Sequence, residues 1–244
     1  MMRLSRYLAI CGVASRRKAE EMIRAGRIQV GGKTVQAMGF RVNPDEDRVK
    51  LDGKPVEWPK RIRTLILNKP RGVLTTVSDP HASKTVMEFV DHYEERLYPV
   101  GRLDRDSEGL LILTNDGELA YRLTHPRFHL EKEYEVAVAG GPGAVAIETL
   151  RGGIELDGKK TQSADIRLLE ARSQQRTFSV VLKEGRKRQI RRMFEEIGAR
   201  VVSLKRVRVG PVKMGHLPAG AIREIKGAEL QALRQAVGLE QDGD

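Results

Sequence analysis

The chain has 244 residues, 40% of them hydrophobic, which suffices for one or two domains with a real core. Its 44 Lys and Arg against 33 Asp and Glu leave a formal net charge of +11, which favours a polyanionic partner, either nucleic acid or an acidic membrane surface. No apolar run could span a bilayer, no secretory signal opens the sequence, and a lone Cys11 excludes an internal disulfide. We therefore expect a cytoplasmic protein without membrane association.

Residues 1–60 predict a small α/β module. Leu4 and Leu8 mark one helical face that ends at Gly12, and Ser15 is placed to cap a second helix. The segment IQVGGKTV then predicts a β-hairpin on a Gly-Gly turn, followed by a short strand (RVKL) and an Asp-Gly turn.

The positive charge is uneven within this module. It holds 13 Lys and Arg against 7 Asp and Glu, and Arg16, Arg17 and Lys18 stand together at the start of the second helix. A solvated helix face could have this composition, but the neighbouring Glu20 and Glu21 offset little of the charge. The pattern favours a surface that contacts phosphates.

Residues 61–237 predict a second domain, and residues 238–244 a polar tail. Strand-like segments (RIRTLIL, LLILT, YEVAVA, ADIRLLE, TFSVVL, VVSLKRV) occur in clusters between short helical segments (TVMEFVDHY, ELAYRLT, AVAIETL, RQIRRMFEEIG, ELQALRQAV). Because strands and helices do not alternate strictly, we predict an α+β fold with a mixed, largely antiparallel central sheet flanked by short helices.

The sequence gives no sign of a cofactor or a metal site. No P-loop or Gly-x-Gly-x-x-Gly pattern follows a strand, which argues against a nucleotide cofactor. His125 and His129 are four residues apart, but Pro126 disfavours the helix that would pair them on a metal.

The segment YPVGRLDRDSEGLLILTNDG, residues 98–117, is the most informative about chemistry. A charged loop runs into an apolar strand, which places Asp104, Asp106, Ser107 and Glu108 at a loop mouth beside buried structure. A carboxylate held there can act as a base or a nucleophile. Asp106 and Ser107 are also common turn and cap residues, and that interpretation is favoured for both.

A second segment, residues 183–192, carries six Lys and Arg and one Glu. Ile190, Met193 and Phe194 follow helical spacing, which predicts an amphipathic helix with a packed face and a cationic edge. Tyr134 lies in an alternating strand and, taken alone, is better interpreted as a core residue. These features together indicate a nucleic-acid-binding protein with a candidate carboxylate site.

The segment GRLDRDSEGLLILTNDG closely resembles the signature motif of the RsuA/RluB-type family of rRNA pseudouridine synthases. LNKPRGVLTT before it and EKEYEV, EGRKRQIRRMFEEIG and LKRVRVG after it occur in that family's order and spacing, and the N-terminal module resembles the αL RNA-binding motif. The matches run from about Arg3 to about Ile225. The resemblance implies a monomeric enzyme that isomerises a uridine of ribosomal RNA, naked or in an assembly intermediate, without cofactor or metal. The large-subunit enzymes of the family are the nearer match.

The resemblance also implies roles for single residues. Asp104 occupies the position of the catalytic aspartate, and Tyr134 that of a tyrosine stacking on the target base, which reverses its interpretation as core. Arg191 matches the basic residue that pairs with the aspartate, Ile190 an aliphatic floor of the pocket, and Arg102 a position near the vacated base. The basic residues expected to contact RNA are Arg16, Arg17, Lys18, Arg186, Arg188, Lys205 and Arg206.

Two other functions stay open at the level of sequence. A non-catalytic RNA-binding factor of ribosome assembly would also carry the +11 charge and the N-terminal module. A metal-dependent nuclease could use Asp104, Asp106 and Glu108 as ligands.

Overall fold

The computed structural model describes residues 1–59, 61–79, 84–172 and 175–239. The chain divides into two compact units, the first made of residues 1–63 with 93–97 and 115–117, and the second of the remainder. The sequence predicted a boundary after residue 60. Sequence did not indicate that two short segments from farther along the chain join the first unit.

The first unit combines two helices with short strands. These are α1 (Leu4–Ile10), α2 (Arg16–Arg24), β1 (Met2–Arg3), β2 (Ile28–Val30), β3 (Lys33–Thr34), β4 (Arg41–Val42), β5 (Val49–Leu51) and β6 (Lys54–Pro55). Strand β1 pairs with β4, while the others form an antiparallel sheet in the order β3-β2-β5-β6.

Local sequence signals account for the boundaries of these elements. The Ser15 hydroxyl accepts a hydrogen bond from the Lys18 amide at 3.3 Å and caps α2. Gly12 follows α1 with φ +77°, the left-handed conformation that glycine adopts at a helix end. Gly31 and Gly32 both have positive φ in the turn between β2 and β3, as predicted for the Gly-Gly hairpin.

The second unit is built around one large sheet. Its strands are β7 (Thr64–Lys69), β8 (Tyr98–Val100), β9 (Glu108–Thr114), β10 (Lys132–Ala139), β11 (Glu155–Leu156), β12 (Lys159–Lys160), β13 (Asp165–Arg172), β14 (Gln175–Leu182), β15 (Arg200–Val209), β16 (Val212–Lys213) and β17 (Ile222–Glu224). Its helices are α3 (Gly117–Thr124), α4 (Ala144–Arg151), α5 (Gln189–Glu196) and α6 (Gly227–Gln235), with 3-10 turns at Val86–Phe89 and Pro126–Phe128.

The sheet order is β13-β14-β10-β15-β9-β7-β17, with β16 on β15 and β8 on β9. Every pairing is antiparallel except that of β15 with β9. The predicted α+β fold with a mixed, largely antiparallel sheet is thus confirmed. Strands β11 and β12 form a separate hairpin.

Two apolar clusters pack against the strands of this unit. One joins the inner face of β10 and β14 to α4 and α5 through residues such as Val136, Phe178 and Phe194. The other joins β7 and β9 to α3 and α6 through residues such as Ile66 and Leu110. Within the described residues, no helix combines the length and the apolar character needed to cross a bilayer.

Three predicted elements differ from the structure. The alternating strand RIRTLIL begins only at Thr64, and all six residues of β7 are buried, so neither face of this strand meets solvent. The predicted helix TVMEFVDHY is reduced to the 3-10 turn Val86–Phe89, closed by a capping box between Thr85 and Glu88. The cationic run of residues 183–188 precedes α5 as a loop, since the helix begins at Gln189.

Candidate active site

The contact between β9 and β15 positions the loop that carries Asp104. The two strands meet in parallel at only two residue pairs, Lys205 with Glu108 and Arg206 with Gly109. Gly109 has φ +103°, and a Cβ atom there would lie 2.2 Å from the Arg206 carbonyl oxygen. Only glycine allows this approach, which brings the loop before β9 next to β15.

A cleft of about 330 Å³ lies beside these strands. Its lining includes Asp104 and Tyr134, together with Arg102, Ser107, Lys132, Arg186, Arg188, Ile190 and Arg206. The Asp104 side chain is 41% exposed, so a substrate in the cleft can reach its carboxylate. The structure therefore brings Asp104, Tyr134, Ile190 and Arg102 together, but it does not place Arg191 on the cleft wall.

Arg191 contacts Asp106 and not Asp104, which corrects the expected pairing. Its side chain is only 6% exposed, its Nε lies 3.3 Å from an Asp106 carboxylate oxygen, and its Nη2 donates to the Asp106 carbonyl at 3.0 Å. Among the described residues Arg188 forms the ion pair with Asp104, with Nη1 at 4.0 Å from the carboxylate and 3.2 Å from both oxygens of Asp106. Asp106 is therefore more than a turn residue, since its carboxylate joins two arginines to the loop.

Sequence reasoning missed Lys69. This side chain is fully buried, and its Nζ donates to the carbonyl oxygens of Pro70 at 3.0 Å and Ser107 at 2.7 Å. Burial lowers the pKa of Lys69 to about 8, although the carboxylates of Asp106, Glu108 and Asp104 oppose this shift. A lysine at the end of the apolar run TLILNK was the available signal.

Lys132 is a second cleft residue that was not foreseen. It lies on β10 two residues before Tyr134, and its Nζ donates to the Leu130 carbonyl at 2.8 Å. Burial lowers the pKa of Lys132 to about 8, and the positive charge of Arg206 lowers it further. Its position on the same strand face as Tyr134 could have indicated it.

Two basic residues expected to contact phosphates are instead engaged within the protein. The Arg186 guanidinium donates to the Lys159 carbonyl at 2.8 Å and to Glu184 at 3.3 Å, which ties the β11–β12 hairpin to the loop before α5. Arg206 is 5% exposed and donates from Nε to the Leu110 carbonyl at 2.7 Å. Most Arg186 donors are thus occupied, and Arg206 forms part of the cleft wall and not of a basic surface.

The other predicted RNA contacts lie nearer the surface. Arg16, Arg17 and Lys18 are exposed on the first turn of α2 in the first unit. Lys205 is half-buried on β15.

Comparison with known proteins is consistent with this arrangement. Residues 63–196 match the RNA pseudouridylate synthase family, and residues 2–49 match the S4 domain. An uncharacterized RNA pseudouridine synthase of Aquifex aeolicus (strain VF5) is 43% identical over 239 residues, which cover 98% of this chain and 96% of the relative. The ribosomal large subunit pseudouridine synthase B of Bacillus subtilis (strain 168) is 41% identical over 236 residues, 96% of each chain.

A solved structure leads to the same family. The crystal structure of a pseudouridylate synthase superimposes with a TM-score of 0.69 at 28% identity, covering 96% of this chain and 100% of the other. The family match spans the loop of Asp104, the strand of Tyr134 and the helix of Arg191. The chain therefore belongs to the RNA pseudouridylate synthase family and carries an S4 domain in residues 2–49, as its resemblance to the RsuA/RluB-type enzymes predicted.

Proposed function

We propose that this protein converts a uridine of large-subunit ribosomal RNA into pseudouridine, with Asp104 as its catalytic carboxylate. The observation that carries the proposal is the shared cleft of Asp104 and Tyr134 in a chain of the RNA pseudouridylate synthase family. The likeness to the B. subtilis large-subunit enzyme along 96% of both chains supports the choice of substrate.

The reaction accounts for the kind of site that is needed. Pseudouridine forms when the bond between ribose C1′ and uracil N1 breaks, the base turns, and C1′ joins C5; C5 then loses its proton and N1 takes one up. No group is gained from a donor and no electrons are exchanged, so a carboxylate can assist the reaction by itself. Asp104 is accessible from the cleft and meets the sugar or the base once the nucleotide enters.

Tyr134 has the surroundings expected of a stacking residue. Extruding a base from RNA costs a few kcal/mol, and stacking on an aromatic side chain returns roughly 1–3 kcal/mol. Tyr134 packs against the core cluster beneath β10 and lines the cleft, so its ring is held in place for a base. Lys132 and Arg206 line the same wall, where they donate hydrogen bonds to the carbonyl oxygens of Leu130 and Leu110.

Arg191 acts in this scheme as a positioning residue. Its buried guanidinium forms an ion pair with the Asp106 carboxylate. The Arg188 guanidinium contacts both carboxylates, at 3.2 Å from Asp106 and 4.0 Å from Asp104. The ion pair of Arg191 with Asp106 holds the loop in place, while Arg188 is the cation near the reacting carboxylate.

Release of tritium tests the proposal. A transcript of large-subunit rRNA carrying tritium at uridine C5 loses it to water when the new C–C bond forms. We expect release by the wild type and by Asp165→Asn, which alters an exposed carboxylate on β13 outside the cleft, and none by Asp104→Asn. Equal release by Asp104→Asn and the wild type would remove Asp104 from its role.

The same assay separates the two rival functions. A ribosome-assembly factor binds the transcript and releases no tritium, whereas a nuclease shortens the RNA and stops when a chelator is added. The synthase leaves full-length RNA and is indifferent to the chelator. The nuclease is disfavoured because the Asp106 carboxylate, one of its three required ligands, is already shared by Arg188 and Arg191.

A further inference from the structure

An aromatic cluster beside the cleft has no part in the proposed reaction. Tyr121, His125, Phe128 and Arg127 form it, and we call it the aromatic patch. The ring centroids of Tyr121 and His125 lie 5.0 Å apart, and those of Tyr121 and Phe128 6.3 Å apart. The Tyr121 side chain is exposed by 42%, and His125 and Arg127 are exposed as well. A soluble protein seldom leaves several rings together at its surface unless the surface binds something.

The patch is continuous with the cleft. Thr124, His125 and Pro126 line the cleft that contains Asp104 and Tyr134. The Thr124 methyl group lies 3.7 Å from the position that a Cβ atom of Gly101 would occupy, so the end of α3 abuts the loop leading to Asp104. A polymer with one residue in the cleft therefore has its next residue within reach of the patch.

The patch is also rigid. The His125 Nδ1 atom accepts a hydrogen bond from the Arg127 amide at 3.3 Å and caps the 3-10 turn that Pro126 opens. Arg122 lies 5.5 Å from the Phe128 ring centroid and donates to the Val237 carbonyl at 3.1 Å, which anchors the cluster to the segment that follows α6. Rings that are already ordered lose little conformational entropy when a ligand binds.

The positive charge of Arg127 indicates which kind of ligand the aromatic patch can bind. Its Cζ atom lies 4.5 Å from the Phe128 ring centroid and 5.5 Å from that of Tyr121. Within the described part of the chain its guanidinium has no carboxylate partner, so its charge is available to an anion. The exposed rings of Tyr121 and His125 next to an available cation fit a nucleotide, whose base stacks while its phosphate meets the charge. An acidic peptide would satisfy the arginine but would leave the ring faces uncovered.

We propose that the aromatic patch binds the base and phosphate of an unpaired nucleotide adjacent to the target uridine. This inference rests on the proposed function, because that nucleotide belongs to the same RNA. The patch then helps to select the substrate, since a target whose neighbour is held in a duplex cannot place a base on it.

Binding of a short RNA tests the patch without catalysis. The probe is a nine-nucleotide single strand of uridines with 2-aminopurine beside the central position, whose fluorescence falls when the base stacks. The test variant is Tyr121→Leu/His125→Asn, since asparagine removes the ring but can still accept the capping bond from Arg127. We expect this variant to bind at least about fivefold more weakly and to lose the quenching.

Two controls accompany that measurement. Tyr121→Phe keeps the ring and should bind within twofold of the wild type. Leu169→Ser changes an apolar side chain that is 55% exposed on β13, outside the cleft, and should have no effect on binding. The double variant should unfold at the wild-type temperature. Equal affinity and equal quenching for the wild type and the double variant would overturn the proposal.

Salt dependence tests the phosphate contact separately. Arg127→Met should reduce the slope of log affinity against log salt by about 0.7, whereas the double variant should leave the slope unchanged. An unchanged slope in Arg127→Met would overturn the phosphate contact, and equal weakening of poly-glutamate binding by the double variant would overturn the choice of a nucleotide. If the wild type binds the probe through the patch but releases no tritium from rRNA, the proposed function fails while the patch stands.

Discussion

Asp104 and Asp106 lie two residues apart on one loop, yet their carboxylates have different surroundings. Asp106 lies between Arg188 and Arg191, at 3.2 and 3.3 Å. Asp104 lies farther from its ion-pair partner among the described residues, Arg188 at 4.0 Å, and faces the cleft. Spacing in the sequence could not distinguish the two, because either carboxylate can reach a helix that packs against the loop. The geometry separates a carboxylate that holds the loop from one that is accessible from the cleft.

This difference predicts opposite outcomes for two alanine variants. Asp106→Ala leaves the charge of Arg191, whose side chain is 6% exposed, without its partner, and should lower the free energy of unfolding by about 1–3 kcal/mol. The Asp106 side chain is itself 35% exposed, which keeps the loss below that of a fully buried pair. Asp104→Ala should stay within about 0.5 kcal/mol of the wild type while abolishing tritium release. Urea unfolding of both variants measures the difference, and equal stabilities would contradict the role assigned to Asp106.

Lys69 makes stability depend on pH. Its pKa falls from an ordinary 10.5 to about 8 in the folded protein because the side chain is buried. Between these values the unfolded chain binds more protons than the folded one, so the Lys69 contribution to stability rises with pH and is flat below about pH 8. Relative to Lys69→Met, the wild type should gain roughly 2 kcal/mol between pH 7 and pH 10.

Denaturant unfolding across that pH range measures the Lys69 effect. Lys132 also has a pKa of about 8 and contributes a rise of its own. The slope of the unfolding free energy against pH is therefore compared between the wild type and Lys69→Met, in which Lys132 is still present. Parallel curves for the two proteins would show that Lys69 does not titrate in this window.

Among the elements, those fixed by local contacts were predictable. The cap at Ser15, the glycine turn after β2 and the apolar face of α5 follow from residues a few positions apart. The burial of β7 on both faces was not predictable, because one face packs with α3 and α6, which come from distant parts of the chain. The parallel contact of β15 with β9 is likewise non-local, although it determines where Asp104 lies.

Gly109 is the residue on which that parallel contact depends. Gly109→Ala puts a Cβ atom 2.2 Å from the Arg206 carbonyl oxygen at a φ of +103°, so the strands must separate or the backbone must change. Because the strained φ and the close contact both destabilise the folded state, we expect the free energy of unfolding to fall by more than about 3 kcal/mol. Thermal and urea unfolding measure the loss.

Gly215→Ala is the matched control for Gly109→Ala. Gly215 also has a positive φ, +63°, but no atom lies within 4 Å of the added Cβ. It should lose only about 1 kcal/mol. If both variants lost the same amount, the approach of β9 to β15 would not be what requires glycine at position 109.

At the scale of the whole molecule, the net charge of +11 does not show which surface of the protein binds RNA. Arg186 and Arg206 direct their guanidinium groups to backbone carbonyls, and Arg167 and Arg172 are paired with Asp165 and Glu170. The composition predicted a polyanionic partner correctly, since the family acts on RNA. It could not reveal which cations are already engaged within the protein, because that depends on the folded neighbours of each one.

The exposed cations at the start of α2 remain available for phosphates. Arg16, Arg17 and Lys18 are exposed in the S4 domain, and no acidic residue lies in the first turn of the helix. Replacing all three by alanine should reduce the slope of log affinity for the rRNA transcript against log salt by up to about 2. The KM for tritium release should rise while kcat is unchanged, because these residues do not line the cleft.

The triple alanine variant of Arg16, Arg17 and Lys18 is called the α2 variant. Its control removes cations that already have acidic partners. Arg167→Ala/Arg172→Ala acts on exposed ion pairs of β13, whose net charge is near zero, so the salt slope should stay close to that of the wild type. If this double variant reduced the slope as much per cation as the α2 variant, affinity would follow the total charge of the protein. A reduction confined to the α2 variant would instead assign the phosphate contacts to the S4 domain, where three neighbouring cations have no acidic residue beside them in the first helical turn.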